Sequence, residues 1–526
     1  MEKPKTDIIL ITPSVMPDFP GADFEVLADY KCVPIGTLAL GSYLKEKGYN
    51  VKLFDCRVYP KKEGFLRLCR ECKDARLIAF SVMTPDLKHA YLWTKKLRKR
   101  FPQKKIVWGG MHPTLFPEQT LKDPNIDFVI AGEGELAMAS LLGFLQSKKS
   151  LKKTPGLLYK KKSGIVNGGL SAPVEEKDMA KPDYSLLDLE KYLVRPLYDE
   201  KTKKERKAIV LDISSSRGCP YACSFCTNTM FAFKRWRPLS AEKVNAAINE
   251  LVSKHNIDHI WFVDDFFFGN LERVDAIVDN LKAKKFKLTW EADIRADNLV
   301  RPNFLTDQHL QRYVKSGLTS LRIGIESGSD RVLKILNKGI TVDMSIKAVH
   351  RCKKFQIIPI CFFMIGIPGE TEKDMVQTLQ LMDQLAGIYP ESVLLGPGLF
   401  RPYPGTPLYQ ECKKSGFHEP QSLFEWAKSS LDSSTFISEK SLPWLKNPGR
   451  VIRLQNMASL YFSYTRQKHA PHYPFLRKLL GEWLKQRFKH NFFSLDLEIF
   501  FLVSFKKFLN QNAKVKWLLH KVIIRN

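Results

Sequence analysis

Short apolar runs alternate with amphipathic stretches along the first 150 residues of the chain. The apolar runs predict buried strands at residues 8–11, 51–54, 77–82, 106–108 and 128–130. Amphipathic periodicity between them predicts helices at residues 35–47, 87–100 and 136–145. Such alternation predicts a doubly wound α/β domain over residues 1–150, with ligands bound at the carboxyl ends of its parallel strands.

A second series of strands begins after a polar interval. Residues 151–207 mix Pro, Lys and Glu without apolar periodicity, which predicts an exposed connector. Beyond it, strand-like runs followed by helical stretches occur at residues 208–214, 259–264, 288–294, 320–326, 357–365 and 392–399. Six such units predict a partial (β/α)6 barrel of the TIM type over residues 208–410, and residues 411–526 are predicted to be a helical, basic C-terminal region.

Charge indicates an anionic partner or surface. The 526 residues carry 83 Lys and Arg against 55 Asp and Glu, a formal net charge of +28. Nucleic acid and an acidic membrane surface are the two candidates. We expect a cytoplasmic protein, because no apolar run reaches 18 residues, no signal sequence precedes the first strand, and the ten cysteines are unevenly spaced.

The last 56 residues are both basic and aromatic. Residues 471–526 hold eleven Lys and Arg against three Asp and Glu, and aromatic residues lie between them. Amphipathic helices are predicted at residues 475–488 and 514–524. They either contact the anionic inner face of the cell membrane or pack on the barrel with solvated lysines, and the sequence leaves both possibilities open.

Three cysteines follow the first strand of the predicted barrel. Cys219, Cys223 and Cys226 form a Cys-x3-Cys-x2-Cys pattern, with Phe225 just before the last cysteine. Three thiolates bind three irons of a [4Fe–4S] cluster and leave the fourth iron open to a small chelating molecule. A zinc site is the alternative, but zinc prefers four ligands, and no Cys or His follows Cys226 before His255.

This cysteine pattern resembles the signature of the radical S-adenosylmethionine (SAM) superfamily. The resemblance implies a [4Fe–4S] cluster that, once reduced, cleaves SAM to a 5′-deoxyadenosyl radical. It also implies an external one-electron reductant of the flavodoxin or ferredoxin type. The resemblance extends over roughly residues 7–410.

Residues at the ends of the predicted barrel strands match the SAM contacts of this superfamily. By resemblance, the SAM-binding residues are Phe225, Asp264, Asp265, Asp293, Arg295, Glu326, Ser327, Gly366 and Gly369. The two aspartates would face the polar groups of SAM, and Arg295 would pair with its carboxylate. The alternative for Asp264 is an ordinary helix cap.

The first domain resembles the flavodoxin-like (Rossmann-like) cobalamin-binding domains of one radical SAM subfamily. The residues implied to bind cobalamin are Gly36, Ser81, Met83, Gly109, Gly110, Gly132 and Glu133. Val33 stands where classical cobalamin domains have the cobalt-binding histidine. His112 is a candidate replacement, although a turn role is favoured, and a domain that has lost the corrin is the wider alternative.

The resemblance implies a reaction but not a substrate. Methyl transfer through cobalamin to an unactivated carbon is favoured, and ring formation, as in the anaerobic porphyrin-ester cyclases, is the alternative. A tRNA methylthiotransferase is the rival from another class, but its extra cluster cysteines and all-β RNA-binding domain are not evident. A non-catalytic corrin or cluster sensor is a third possibility. A hydrophobic lipid or terpenoid would suit the aromatic, basic tail, whereas nucleic acid suits it less well.

Overall fold

The computed structural model describes most of the chain between residues 6 and 465. The described ranges are 6–14, 32–59, 61–147, 153–199, 204–231, 234–283, 288–428 and 442–465, with residues 482–483 and 485–487.

The first domain is built on a twisted sheet whose central strands are parallel. Its strands are β1 (Thr6–Thr12), β2 (Val51–Asp55), β3 (Ala75–Ser81), β4 (Lys105–Gly109), β5 (Phe128–Ile130), β6 (Leu157–Lys161) and β7 (Gly164–Asn167). They lie in the order β2-β1-β3-β4-β5-β6-β7, and the first five are parallel. Ile9 pairs with Lys52 on one side and Ile78 on the other, so β1 lies inside the sheet.

Helices cover both faces of this sheet. They are α1 (Ile35–Glu46), α2 (Lys61–Asp74), α3 (Leu87–Arg100), α4 (Met111–Leu115), α5 (Pro117–Lys122) and α6 (Glu135–Ser147). Leu44 of α1 and Leu141 of α6 pack on one face, whereas Leu68 of α2 and Leu97 of α3 pack on the other. The predicted doubly wound architecture is confirmed.

The segment predicted as an exposed connector is instead structured over much of its length. Strand β6 extends the first sheet, with Leu157 and Leu158 fully buried. Helix α7 (Glu190–Leu193) and strand β8 (Val194–Asp199) then lead to the second sheet. There β8 pairs antiparallel with β9 (Lys204–Ile213). The prediction was wrong here because the apolar runs are only two or three residues long and lie between lysines.

The second domain is an open, partial barrel of parallel strands. Its parallel strands are β9 (Lys204–Ile213), β12 (His259–Phe262), β13 (Thr289–Ile294), β14 (Leu318–Glu326), β15 (Ile358–Ile365) and β16 (Val393–Leu399). All six predicted strands are present, in the order β16-β15-β14-β13-β12-β9, and the antiparallel β8 adds a seventh strand beside β9. Between β9 and β12 a short hairpin forms from β10 (Ser216–Arg217) and β11 (Arg237–Pro238).

Helices alternate with the barrel strands along the chain. They are α8 (Asn228–Phe231), α9 (Ala241–Lys254), α10 (Leu271–Ala283), α11 (Ala296–Val300), α12 (Asp307–Lys315), α13 (Asp330–Ile335), α14 (Val342–Lys354) and α15 (Glu372–Ile388). Along β13, Trp290, Ala292 and Ile294 are buried against these helices. Since side chains alternate along a strand, Glu291 and Asp293 face the lumen of the barrel.

The chain after the barrel returns to the first domain. Helix α16 (Pro407–Lys414) is followed by α17 (Leu423–Lys428), whose Leu423 and Trp426 are buried in the core of the first domain beside α3. Helix α18 (Pro448–Thr465) packs on β16. The two helices predicted in the tail lie outside the described residues, apart from residues 482–483 and 485–487. Among the helices that the structure describes, none combines the length and hydropathy that a membrane crossing needs.

Candidate functional site

A cavity of about 600 Å³ lies between the first domain and the mouth of the barrel. All seven residues implied to bind cobalamin line it: Gly36, Ser81, Met83, Gly109, Gly110, Gly132 and Glu133. The barrel contributes residues from the start of the cysteine loop and the end of β12, namely Ser214, Ser216, Arg217, Gly218, Asn228 and Asp265. The volume lies within the range of cofactor pockets.

Glycines shape the wall that the first domain contributes. Gly110 has φ +96°, and a Cβ there would lie 2.7 Å from the backbone nitrogen of Val82. Gly132 has φ +95°, and its Cβ would lie 2.4 Å from Ser171 Oγ. Gly36 differs, because a Cβ there would meet nothing within 4 Å. A side chain would therefore collide with neighbouring protein atoms at two of these glycines and would enter open space at the third.

The position of the missing histidine is also at this cavity. Val33 lines the cavity, and its backbone N–H donates to Asp212 Oδ2 of β9 at 2.8 Å. An aliphatic side chain cannot bind cobalt. The residues present therefore suit a corrin held by shape and backbone contacts.

His112 lies outside the cavity lining. Its ring packs against Phe116 and Trp426, with centroids 5.2 and 5.4 Å apart, and the residue is fully buried. Burial lowers the pKa of His112 to about 3, so the imidazole is neutral. The structure therefore favours a structural role for His112, packed among aromatic rings, over cobalt binding.

The cysteine loop is held by its neighbours through backbone hydrogen bonds. Ser224 N donates to Leu336 O at 2.8 Å, and Leu408 N donates to Ser224 O at 3.1 Å. Asn337 Nδ2 donates to Ala222 O at 2.7 Å. The loop is therefore fixed between the end of α13 and the start of α16.

The three thiols lie on one short loop, and each is at least partly shielded from solvent. Cys223 is buried, whereas Cys219 and Cys226 are half-buried. Burial raises the pKa of Cys219 and raises that of Cys226 to about 11, and the neighbouring thiols add to both shifts. Because iron binds thiolates, loading the loop would release protons. Among the described residues no three His, Cys, Asp or Glu side chains are drawn together closely enough to hold a metal ion. The donor set, three cysteines on one short loop, is what fits a [4Fe–4S] cluster with one open iron.

Arg295 lies against the cysteine loop. Its Nη1 is 3.9 Å from Cys223 Sγ, and its guanidinium is 3.7 Å from the centroid of the Tyr221 ring. Asp297 and the carbonyl of Lys338 accept its other N–H groups. The guanidinium therefore contacts the cysteine loop at Cys223, in addition to the SAM contact implied by resemblance.

The two neighbouring aspartates at the end of β12 have different environments. Asp264 is buried and accepts hydrogen bonds from Ser215 N, Ser215 Oγ and Ser216 N at 2.5–2.6 Å. Burial raises its pKa to about 6. Asp265 faces the cavity, where partial loss of hydration raises its pKa. Asp264 thus fixes the start of the cysteine loop, whereas Asp265 is placed to meet a ligand.

Substitution of these aspartates should separate their roles. We expect Asp264→Ala to lower the free energy of unfolding by about 3 kcal/mol, because buried N–H groups lose a charged acceptor. Asp265→Ala should change it by less than about 0.5 kcal/mol and weaken SAM binding instead. Urea unfolding and equilibrium dialysis of SAM check this, and equal losses of stability would contradict it.

Glu326 forms a buried ion pair that the sequence did not reveal. It is the last residue of β14 and has φ +70°, and Lys338 Nζ lies 2.8 Å from its Oε1. Lys338 also lies 5.6 Å from the centroid of the Phe225 ring. The sequence offers one indication of this ion pair, because Lys338 stands just before Gly339, shortly after helix α13 ends. Ser327 is buried, and its hydroxyl is 3.1 Å from that of Thr378.

The turn after β15 is stabilised by side chains. Glu370 Oε2 accepts from the N–H groups of Gly366 and Ile367 at 2.6 and 3.0 Å, and Trp444 Nε1 donates to Gly366 O. Gly369 is exposed in the same turn, with φ +81°. The backbone at Gly366 is therefore held rigidly beside the barrel mouth.

Asp293 belongs to a charged group inside the barrel. Its Oδ1 lies 3.2 Å from Arg322 Nε, and Glu291 Oε1 lies 3.8 Å from Arg322 Nη1. The guanidinium lies between the rings of Trp261 and Phe362. Sequence reasoning missed Arg322, because its lumen-facing position depends on the barrel closing.

Glu133 lines the cavity with its carboxylate already bound. Arg237 contacts both oxygens, at 2.5 and 2.9 Å, and Val174 N donates to Oε2 at 2.7 Å. Burial raises the pKa of Glu133, but these partners outweigh it, so that the net shift is downward. The structure therefore places Glu133 at the predicted site in an ion pair between the domains.

Comparisons with known proteins agree with this geometry. Residues 213–382 match the model of the radical SAM superfamily, and residues 26–142 match the model of the B12 binding domain. An uncharacterized methyltransferase of Pyrococcus horikoshii, PH0819, is 30% identical over 72% of this chain and 78% of its own length. The anaerobic magnesium-protoporphyrin IX monomethyl ester cyclase of Synechocystis is 26% identical over 68% of this chain and 70% of its own length.

A solved structure shares the fold. It is that of OxsB, a cobalamin-dependent SAM radical enzyme with aqua-cobalamin and SAM bound, and it has a TM-score of 0.63 at 18% identity. The match covers 97% of this chain and 75% of OxsB. Both domains, in this order, therefore have a structural counterpart.

Proposed function

Since this chain belongs to the radical SAM superfamily, in the group with an N-terminal B12-binding domain, we propose that it transfers a methyl group to an unactivated carbon. The chain is a radical SAM enzyme, and its cofactors are a [4Fe–4S] cluster, SAM and cobalamin. The methyltransferase relative in Pyrococcus supports the choice of methyl transfer.

One observation carries the proposal. The turns of the first domain and the start of the cysteine loop line the same cavity. A corrin in those turns would therefore face the cysteine loop, with the substrate between the two domains.

Residues of this chain would hold and orient the cofactors. Cys219, Cys223 and Cys226 would each bind one iron, and Asp265 and Arg295 would orient SAM by charge. When bound, these cofactors supply reductive cleavage of SAM and transfer of a methyl group. The protein contributes positioning and exclusion of water, which the packing of Phe225 against buried apolar side chains supports.

For the substrate and the redox partner we propose only a chemical class. Radical SAM enzymes need an external reductant, and we propose a small acidic flavodoxin or ferredoxin, since the chain is strongly basic. Exposed Leu170 at the cavity supports a hydrophobic substrate, such as a lipid or terpenoid. Residues 26–142 match a B12 domain, which argues against the tRNA methylthiotransferase alternative.

Peripheral contact with an anionic membrane is a further part of the proposal, and it depends on the basic tail. The tail after residue 465 lies outside the described residues except for two short pieces. Cosedimentation with anionic vesicles, comparing the full chain with one ending at Thr465, tests this contact. Equal vesicle binding by both chains would instead favour a tail that packs on the barrel.

Isotope labelling tests the reaction. Cells of a deletion strain and of the complemented strain are fed methionine with a deuterated methyl group, and their metabolites are compared by mass spectrometry. We expect a metabolite present only in the complemented strain to carry the deuterated methyl group. A product that depends on the enzyme but lacks the label would favour ring formation, as in the cyclase relative.

Reconstitution tests the cofactors independently. Anaerobically reconstituted protein should hold about four irons and one corrin per chain. Stoichiometric zinc in place of iron would contradict the cluster, and failure to retain hydroxocobalamin would contradict the corrin.

A further inference from the structure

Four charged residues join the corrin-lining turn to the cysteine loop. Glu133 and Glu135 follow β5 in the first domain, and Arg217 and Arg237 belong to the short hairpin of the second. Arg217 Nη1 lies 2.7 Å from Glu135 Oε1 and 3.3 Å from Glu133 Oε2. Arg237 Nη2 lies 2.5 Å from Glu133 Oε1. Two carboxylates thus bind two guanidinium groups across the domain boundary.

The short hairpin holds the two arginines side by side, so that both ion pairs form in the same place. Arg217 and Arg237 are directly opposite each other in the antiparallel pair β10–β11. Arg237 also donates to Val174 O at 2.6 Å, and Val174 N donates to Glu133. The side chains of Arg237 and Glu135 are each only 5% exposed. Ion pairs this well enclosed are costly to break from one side, because the remaining partner is left as a buried charge.

The network lies close to both cofactor sites along the chain. Glu133 follows Gly132, whose backbone lines the corrin cavity. Arg217 precedes Cys219 by two residues. A displacement of the first domain would therefore move the cysteine loop as well, because the Glu–Arg ion pairs connect the two segments.

We propose that Glu133 and Glu135 are positioning residues that fix the cysteine loop against the corrin-lining turn through Arg217 and Arg237. They set the separation of the two metal centres, and they do so before either cofactor binds. This inference rests on the proposed function for the identity of the cofactors, but the ion-pair network itself does not depend on it.

Hydrogen exchange in the corrin-free protein tests the inference. The full chain, reconstituted with iron and sulfide but given no corrin, is compared with Glu133→Gln and Arg217→Lys. We expect amide exchange in peptides covering residues 214–219 and 235–239 to rise by about tenfold or more in both variants. Glu175→Gln is the matched control, because it breaks a half-exposed pair with Arg235 and should change nothing.

Magnetic coupling gives a second measurement. In protein holding cob(II)alamin and a reduced cluster, electron paramagnetic resonance should show a defined interaction between the two centres. Glu133→Gln should broaden that interaction while iron content stays unchanged.

The outcomes separate this inference from the proposed function. Unchanged exchange in both variants, with weaker hydroxocobalamin binding by Glu133→Gln, would overturn it and make Glu133 a direct corrin contact. Faster exchange in a protein whose wild type does not bind hydroxocobalamin would support the positioning network and reject the corrin instead.

Discussion

Serine in place of Cys219, Cys223 or Cys226 should abolish the formation of 5′-deoxyadenosine from SAM. Each thiol is expected to bind one iron, and the three belong to one short loop fixed by backbone hydrogen bonds to Leu336 and Leu408. Serine is a much poorer ligand for iron than a thiolate, so loss of one cysteine should destabilise the cluster. We expect deoxyadenosine formation to fall by more than about 100-fold, as measured by liquid chromatography of anaerobic reactions.

Cys69→Ser is the control for these variants. Cys69 is half-buried on α2, away from the loop, and should keep its deoxyadenosine formation. Retained activity in any of the three loop variants, with iron still bound, would contradict the assignment of that cysteine.

Tryptophan in place of Gly36 should prevent cobalamin from binding while leaving the cluster intact. Gly36 is exposed at the start of α1, where a Cβ meets no atom within 4 Å, so a large side chain fits without backbone strain. It would occupy the cavity that we assign to the corrin. We expect hydroxocobalamin affinity to fall at least about tenfold, or 1.4 kcal/mol, as measured by absorbance titration.

Gly36→Ala is the size control, and it should bind hydroxocobalamin almost normally. Gly110→Ala is a less informative variant, because its Cβ would collide with the backbone of Val82 and disturb the fold. If Gly36→Trp retained full affinity, the corrin would have to lie elsewhere in the cavity or outside it.

Much of the fold could be predicted from the sequence. Strands buried on both faces, such as β1 and β3, form continuous apolar runs, and every predicted strand of both domains is found within a few residues. The connector was wrongly predicted to be unstructured, since β6 and β8 are short and their apolar runs are interrupted by charged residues or proline. Their strand conformation depends on pairing with the edges of sheets that form elsewhere in the chain.

The candidate site was predictable where its chemistry is local. The spacing of three cysteines specifies a cluster loop without any tertiary information, because one short segment supplies all the ligands. The roles of single charged residues could not be predicted from the sequence in the same way. Asp264 and Asp265 are adjacent and chemically identical, yet one is buried beneath the cysteine loop and the other faces the cavity.

The sequence by itself determined the order of the two domains, the cysteine loop and the glycine-rich turns, because these depend on short-range spacing and backbone freedom. Only the tertiary structure decided that Glu133 binds arginines, that His112 is buried against Trp426, and that Arg322 lies inside the barrel. Those roles arise from residues far apart in the chain, which meet only when the barrel strands assemble and the domains pack together.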